Sequence, residues 1–223
     1  MPPRALEPAG VALVDKPSGP SSFAVVAQIR RLTGARTGHS GTLDPFATGL
    51  LLLLSGRSTK LAPRLVGLDK RYLTEIDLTE RTTTGDPEGA VVDRHKPPAE
   101  NELQERLESL RGQIELPIPA ASAVKVGGER AYKLARRGVD VEMPVRRSTV
   151  HSLDVVAYTD ETVTLDLRVS SGTYVRSLAI ALGGHCTSLR RTEVGPFSVD
   201  DAVAPEAFTA ERLLPEADVL ERV

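Results

Sequence analysis

Residues 38–49 contain the side chain of this chain that is best suited to catalysis, the carboxylate of Asp44. Three glycines, one proline and one histidine surround it, and a run of five leucines, residues 50–54, follows the stretch. A polar, glycine-rich loop beside a buried strand can aim a carboxylate at a substrate, where it acts as a nucleophile or a base. The alternative is turn chemistry, with Asp44 closing a turn ahead of Pro45. Composition by itself favours the turn, so other residues must decide.

Two further segments carry side chains that suit a reaction on a base or a sugar. Tyr72 ends a basic Asp-Lys-Arg-Tyr sequence, and Tyr174 and Arg176 stand at the start of a predicted helix. A buried carboxylate stays ionised beside a cation, which Arg176 can supply, while the tyrosines and His39 can sandwich a planar ring. Each also has a plain structural interpretation: Tyr72 as a half-buried strand residue, Arg176 as a solvated helix residue, His39 as a hydrogen-bonding loop residue. Together they outline a site without defining a reaction.

Several common kinds of site find no support in the sequence. The four histidines are scattered, and none is paired with a cysteine or carboxylate at helical ligand spacing, so no metal site is predicted. Neither a phosphate-binding loop nor a dinucleotide-binding glycine fingerprint is present. Serine hydrolase chemistry lacks a nucleophile elbow, although residue order alone leaves it open. The single cysteine, Cys186, is predicted to be a small core residue.

The uneven distribution of charge indicates where a polyanion would bind. The net charge is −2, yet residues 124–149 contain seven Lys/Arg against three Asp/Glu, and residues 200–223 contain two against seven. A polyanion is expected to dock on the first segment and avoid the second, although solvated faces of unrelated elements explain the same pattern. No targeting segment and no apolar run of membrane-spanning length is visible, so a cytoplasmic protein is expected.

The hydrophobic pattern predicts an α+β fold. Apolar residues that alternate or cluster predict strands at residues 10–14, 50–54, 71–78, 148–158 and 162–169, with short apolar pieces at 188–191 and 197–199. Helical spacing predicts helices at residues 21–33, 58–65, 99–110, 131–137 and 174–182, with a further helical pattern around 213–214. Gly34 and Gly138 are expected to end the first and fourth of these helices. Because no regular βαβ rhythm appears, the sheet is expected to be mostly antiparallel.

Six short motifs occur together in the order of one known family. They are LVDKP (13–17) with SS (21–22), GHSGTLDP (38–45) with ATG (47–49), DKRY (69–72), SAVK (122–125) with RAY (130–132), GTYVR (172–176) and LRRT (189–192). On these motifs the chain resembles the bacterial tRNA pseudouridine synthase B family, the enzymes that make pseudouridine 55 in the T loop of tRNA. The resemblance runs from about residue 10 to residue 199, nearly the whole chain.

The resemblance implies a role for each matching residue. Asp44 is implied to be the nucleophile, which attacks the target uridine and lets the detached base rotate and rejoin through C5. Attack on the sugar C1′ and on the base C6 both remain open. Tyr72 is implied to stack on the flipped base and to accept a proton, and Arg176 to pair with the nucleophile. The implied substrate-binding residues are His39, Tyr72, Tyr174, Leu189 and Lys16.

The resemblance also implies the fold, the partner and the domain organisation. It implies a pseudouridine synthase fold, in which helices flank a mixed, mostly antiparallel central sheet and a catalytic cleft crosses that sheet. The partner is the T-arm stem-loop of tRNA, with no metal, nucleotide or redox cofactor, no membrane, no protein partner and a monomeric state. Residues 1–223 are expected to form one catalytic domain, with its core at 10–199 and an acidic cap at 200–223, without the C-terminal RNA-binding domain of many relatives.

Two alternatives to an isomerase stay open. One is a non-catalytic tRNA-binding or tRNA-folding module of the same fold, and the other is a carboxylate-dependent N-glycosidase. The presence of Asp44, Tyr72 and Arg176 together favours the isomerase, because a pure binder has no need of a buried carboxylate near phosphates.

Overall fold

The computed structural model describes residues 8–137, 139 and 141–223. Its strands are β1 Gly10–Lys16, β2 Thr37–His39, β3 Thr48–Ser55, β4 Lys70–Asp77, β5 Glu80–Thr82, β6 Val91–Arg94, β7 Gly112–Pro117, β8 Lys125–Val126, β9 Glu129–Arg130, β10 Val145–Tyr158, β11 Thr162–Val169, β12 His185–Val194 and β13 Phe197–Ser198. Its α-helices are α1 Ser22–Thr33, α2 Ala62–Val66, α3 Glu100–Ser109, α4 Ala131–Arg136, α5 Val175–Leu182 and α6 Glu216–Arg222. Two compact units are present: unit 1 combines the chain up to Tyr72 with residues from Arg190 onward, and unit 2 is Leu73–Leu189.

Strand β3 is the centre of the unit 1 sheet, because neighbours pair with both of its edges. Strand β1 pairs with it antiparallel along its whole length. On the other edge, β2 pairs antiparallel with the end of β3, and the Arg190 end of β12 pairs parallel with its start. The resulting sheet is mixed, as predicted.

The run of leucines in β3 is buried on both faces of this sheet. The even-numbered leucines pack in one cluster that includes Val219 of α6, and the odd-numbered ones pack with Val25 and Ile29 of α1. A strand covered on both faces has a continuous apolar run instead of an alternating one. Strand β3 therefore supplies a rigid floor for the loop that precedes it.

Helix α1 begins and ends where its capping residues predict. Ser21 is the N-cap, and its side chain accepts a hydrogen bond from the amide of Ala24. Gly34 ends the helix in the left-handed region, with φ of 66°, and its amide donates to the carbonyl of Arg30. These are the usual N-cap serine and C-cap glycine devices.

Unit 2 is built on antiparallel pairing. Strand β10 pairs antiparallel with β11 on one side and with β7 on the other, and β5–β6 and β8–β9 form two small antiparallel pairs. The alternating apolar residues of β11 are all buried, as predicted: Val163, Leu165, Leu167 and Val169. Helices α3 and α5 supply buried apolar faces to the same unit. Helices packed with mostly antiparallel strands confirm the α+β prediction.

Some boundaries predicted from the sequence are wrong. The short apolar piece at 188–191 belongs to a ten-residue strand, β12. Strand β7 and the β5–β6 pair were not predicted, because their exposed, charged residues give no periodic apolar signal. Leu213 and Leu214 are extended, since Leu214 bridges to Val11, and α6 begins only at Glu216. The predicted stop at Gly138 lies outside the described residues.

Within the described ranges, no helix is both long and apolar enough to cross a membrane.

Candidate functional site

The loop that carries Asp44 joins β2 to β3, and unit 1 holds its backbone from several sides. Asp44 itself is half-buried. Its carbonyl accepts a hydrogen bond from the amide of Ala47 at 3.2 Å, which closes a turn around Pro45. The turn interpretation of Asp44 is therefore correct for its backbone. This backbone bond does not determine what the carboxylate does.

Lys16 anchors the segment immediately after Asp44. Its side chain is fully buried, and its Nζ donates to the carbonyl oxygens of Pro17 (2.9 Å), Pro45 (3.0 Å) and Ala47 (2.7 Å). A buried ammonium needs such acceptors to offset its lost hydration. These contacts make Lys16 a positioning residue for the loop, and its binding of substrate stays a prediction.

Ser22 fixes the residue immediately before Asp44. The buried hydroxyl of Ser22 donates to the carbonyl of Leu43 and accepts from the amide of Leu43, both at 2.8 Å. Because Ser22 is the first residue of α1, this double hydrogen bond ties the loop to that helix. The amide of Gly19 adds a bond to the Pro45 carbonyl at 2.9 Å.

Arg191 supports the start of the loop, a role that the sequence analysis did not assign. Its buried guanidinium donates to the carbonyls of Leu50 (2.7 Å), Gly41 (3.1 Å) and Thr42 (3.4 Å). The backbone of Arg191 also lies against Gly49, where an added Cβ would come within 2.2 Å of the Arg191 carbonyl oxygen. Gly49 has φ of 100°, so only glycine suits this close approach.

The hydrogen bonds to this loop amount to preorganisation. Carbonyls from Gly41 to Ala47 are held by groups in β1, α1 and β12, so the backbone on both sides of Asp44 has little freedom to relax. A catalytic group held in this way loses less free energy when it is brought to its substrate. The geometry fits a carboxylate that must meet a reacting atom in one orientation.

His39 stands at the end of β2 and is held by the same loop. Its Nδ1 accepts a hydrogen bond from the amide of Gly41 at 3.2 Å, and its ring meets Phe23 edge to face, with centroids 5.2 Å apart. Burial, and after it the positive charge of Arg191, lowers the pKa of His39 below its ordinary value of 6.5. The imidazole is therefore neutral at pH 7, with Nδ1 as an acceptor.

We expect the imidazole of His39 to titrate below pH 6.5 in the folded protein. Because the pKa is lower in the folded state than in the unfolded state, this group's contribution to stability is complete above pH 6.5 and is lost as the pH falls below it. Proton NMR of the His39 ring, assigned by comparison with His39→Gln, measures the midpoint. A midpoint at or above 6.5 would contradict the burial and charge assigned to this site.

Tyr72 lies on β4 and is buried, with 8 % of its surface exposed. Lys70 lies on the same face of the strand, and its Nζ donates to the carbonyls of Val66 and Leu68. Burial, reinforced by the charge of Arg191 and opposed by Asp69, lowers the pKa of Lys70 to about 8. Unit 1 therefore contains buried cations close to the segment that presents Tyr72.

In unit 2, Arg176 is buried on α5, and its contacts include one carboxylate and two backbone carbonyls. Its Nη1 lies 3.1 Å from Oδ2 of Asp86 and donates to the Thr84 carbonyl at 2.9 Å, while Nη2 donates to the Ala121 carbonyl at 3.0 Å. The side chains of Arg176 and Asp86 are 3 % and 4 % exposed, so the interpretation of Arg176 as a solvated helix residue is wrong. Its pairing with Asp44 stays a prediction.

Asp86, which the sequence analysis did not single out, lies in the polar turn at residues 83–89. It does serve that turn, since its Oδ1 accepts from the Glu88 amide at 3.0 Å and from the Thr84 hydroxyl at 2.6 Å. An aspartate before a proline is typical of turns, so no local signal indicates that its second oxygen meets a buried arginine. Only the fold reveals the ion pair.

The remaining predicted residues of unit 2 lie at the start of α5 and in β12. Tyr174 is half-buried and is the N-cap of α5, so the helix begins one residue later than predicted. Leu189 is buried in β12, and Cys186 on the same strand is a core residue, as predicted. Unit 1 thus holds Lys16, His39, Asp44 and Tyr72, and unit 2 holds Tyr174, Arg176 and Leu189. Among the residues that the structure describes, no cluster of three histidine, cysteine or acidic side chains suits a metal ion.

Comparison with known proteins links this chain to one family. The family model described as TruB family pseudouridylate synthase (N terminal domain) matches residues 30–175. The tRNA pseudouridine synthase B of Arthrobacter sp. (strain FB24) is 43 % identical over 227 residues, which cover 95 % of this chain and 72 % of the relative. The enzyme of the same name from Mycobacterium sp. (strain KMS) is 44 % identical over 215 residues, with 91 % and 72 % covered.

Solved structures show the same fold. A chain of a Cbf5-Nop10-Gar1 complex superposes with a TM-score of 0.66 and 26 % identity, over 91 % of this chain and 57 % of that one. A pseudouridylate synthase superposes with a TM-score of 0.51 at 18 % identity, over 98 % of this chain and 76 % of that one, a likeness of fold alone. The present chain spans little more than half of the first of these structures.

Proposed function

Because this chain belongs to the TruB family of pseudouridylate synthases, we propose that it isomerises uridine 55 in the T loop of tRNA to pseudouridine. The observation that supports this activity most directly is the preorganised loop of unit 1, which holds Asp44 between Leu43 and Pro45 by bonds from outside the loop. Such a loop suits a nucleophile that meets one atom of a bound nucleoside.

The reaction breaks the C1′–N1 bond of uridine, forms a C1′–C5 bond, moves the C5 proton to solvent and leaves N1 protonated. Asp44 is the proposed nucleophile, at C1′ or at C6, and its departure after the base has rotated restores the carboxylate. Tyr72 is the proposed stacking partner of the base and acceptor of the C5 proton. Atoms balance without any added reactant, so no cofactor is proposed.

The substrate must leave its stack before Asp44 can reach it. Extruding a base costs a few kcal/mol, and the protein offsets this by filling the gap and binding the flipped nucleotide. His39, Tyr174 and Leu189 are proposed to line the base or hold the loop open. Lys16 and Arg191 are proposed to act indirectly, through the loop carbonyls that they bind.

The proposal extends to the context of the enzyme. We propose that the partner is the T-arm stem-loop of tRNA, that the catalytic unit is a cytoplasmic monomer, and that residues 1–223 act as one catalytic domain. These statements rest on the family and on the predicted site, and each is open to direct measurement.

Release of tritium from a tRNA transcript labelled at C5 of uridine tests the proposed reaction. Wild-type protein is expected to release label from one uridine per tRNA, without added metal or nucleotide, because the C5 proton is lost as the new bond forms. Mapping the product should place pseudouridine at position 55. Free uracil in place of pseudouridine would indicate the N-glycosidase, and binding without any release would indicate the non-catalytic module.

A further inference from the structure

One face of α1 carries an exposed aromatic ring and two exposed arginines that the proposed mechanism does not use. Phe23 is 67 % exposed, and Ala27, Arg30 and Arg31 are also exposed. Positions 23, 27, 30 and 31 share one helical face, whereas Val25 and Ile29 on the opposite face enter the core. The small side chain of Ala27 lies between the ring and the arginines along this face.

The charge of this face is of one sign. Helix α1 contains no acidic residue, and neither Arg30 nor Arg31 forms an ion pair within the described part of the chain. Arg36, just beyond the helix, adds a third exposed cation. Exposed cations beside an exposed ring are the combination by which proteins bind single-stranded segments of RNA, with phosphates on the cations and a base on the ring.

Phe23 also adjoins the proposed catalytic loop. Its neighbour Ser22 makes both hydrogen bonds to Leu43, the residue before Asp44. The ring of Phe23 meets His39 edge to face, at 79° between the two planes, which fixes the ring while leaving most of it accessible to solvent. A lone exposed phenylalanine is common on protein surfaces, but this one is oriented by a predicted substrate-binding residue.

We propose that Phe23, Arg30 and Arg31 form an RNA-docking surface, in which an unpaired base of the substrate stacks on Phe23 and the adjoining strand follows α1 past the arginines. This inference rests on the proposed function, because that function supplies the RNA. Residues 23 and 30 are separated by about 10 Å along the helix at 1.5 Å per residue. At about 3.4 Å of rise per nucleotide of one strand, that distance accommodates about three nucleotides.

Fluorescence tests the stacking directly, since the chain contains no tryptophan. Phe23→Trp introduces a single indole, whose emission is expected to be quenched when a T-arm stem-loop transcript is added. Leu32→Trp, at an exposed position on a different face of α1, is the matched control and is expected to keep its emission. Equal quenching of the two, or none at position 23, would overturn the stacking role.

Equilibrium binding of the same transcript distinguishes the contribution of the Phe23 ring to RNA affinity from that of the arginines. Phe23→Ala is expected to weaken binding roughly tenfold, the scale of one lost base–aromatic stack, and to have no such effect on a blunt duplex of the T-stem sequence, which offers no unpaired base. The double variant Arg30→Gln/Arg31→Gln is expected to weaken the binding of both RNAs. It is also expected to make the salt dependence of binding shallower by about 1.4–1.8 in log–log slope. Arg57→Gln/Arg212→Gln removes the same charge elsewhere on unit 1 and is expected to leave that slope unchanged.

The outcomes distinguish this surface from the proposed reaction. Weakened binding by the Phe23 and arginine variants supports the surface even if the wild-type protein releases no tritium. Full tritium release by the wild type, with binding and salt dependence unchanged in these variants, would overturn the surface and leave the reaction standing.

Discussion

Asp44→Asn is expected to reduce tritium release by at least about a thousand-fold, the scale seen when an enzyme loses its nucleophile. The amide has nearly the shape of the carboxylate, so the loop contacts of Lys16, Ser22 and Arg191 to the backbone should survive. What is lost is the negative charge that attacks the nucleoside. Single-turnover release from C5-labelled tRNA measures the chemical step, and filter binding measures affinity separately.

Two comparisons make this test specific. Asp44→Ala, which cannot revert to aspartate by deamidation, should be equally inactive. Asp218→Asn, which removes one carboxylate from α6 elsewhere on unit 1, should retain full activity. If Asp44→Asn keeps more than about a tenth of the wild-type rate, Asp44 is not the nucleophile, because no neutral amide replaces a carboxylate so well.

Local signals in the sequence predicted much of the secondary structure. Helix α1 has a capping serine before it and a left-handed glycine after it, and both act as caps in the structure. The alternation of β11 and the leucine run of β3 reflect burial on one face and on two faces, respectively. In these elements local preference and tertiary packing agree, so the sequence is sufficient.

Other elements depend on pairing that no local signal records. Strand β7 has mostly exposed residues and is defined by its partner β10. Strand β12 contains arginines at 190 and 191, which pair with the start of β3 while the guanidinium of Arg191 turns inward to loop carbonyls. Here tertiary contacts override weak β-propensity.

The candidate site likewise contains residues that the sequence indicates and residues that only the structure reveals. Asp44, His39 and Tyr72 were selected as candidates by residue type and motif. The residues that hold the site in place could not be selected in this way. Arg191 and Asp86 act through contacts with residues far away in sequence, 150 positions in the case of Gly41 and 90 in the case of Arg176. Side chains that position others leave no signature in residue spacing, because their partners are backbone groups or lie far away in the sequence.

Arg176→Lys is expected to lower the free energy of unfolding by about 2–4 kcal/mol and to lower turnover far more than RNA affinity. Lysine keeps the charge, but one ammonium cannot reproduce two separate guanidinium nitrogens, so Asp86 or the Ala121 carbonyl loses its donor in the interior. Since Arg176 is only 2 % exposed, it is not available to a phosphate at the surface. Urea unfolding measures the first effect, and tritium release with filter binding measures the second.

Arg190→Lys is the matched control, because Arg190 makes a two-nitrogen contact with Asp15 in a partly exposed setting. Exposed ion pairs typically contribute at most about 1 kcal/mol, so this variant should lose little stability. If the two lysine variants are destabilised equally, burial is not what makes the Arg176–Asp86 pair important. If Arg176→Lys weakens RNA binding as much as it slows release, the residue contacts RNA instead of supporting the reaction, and its assignment to the catalytic set fails.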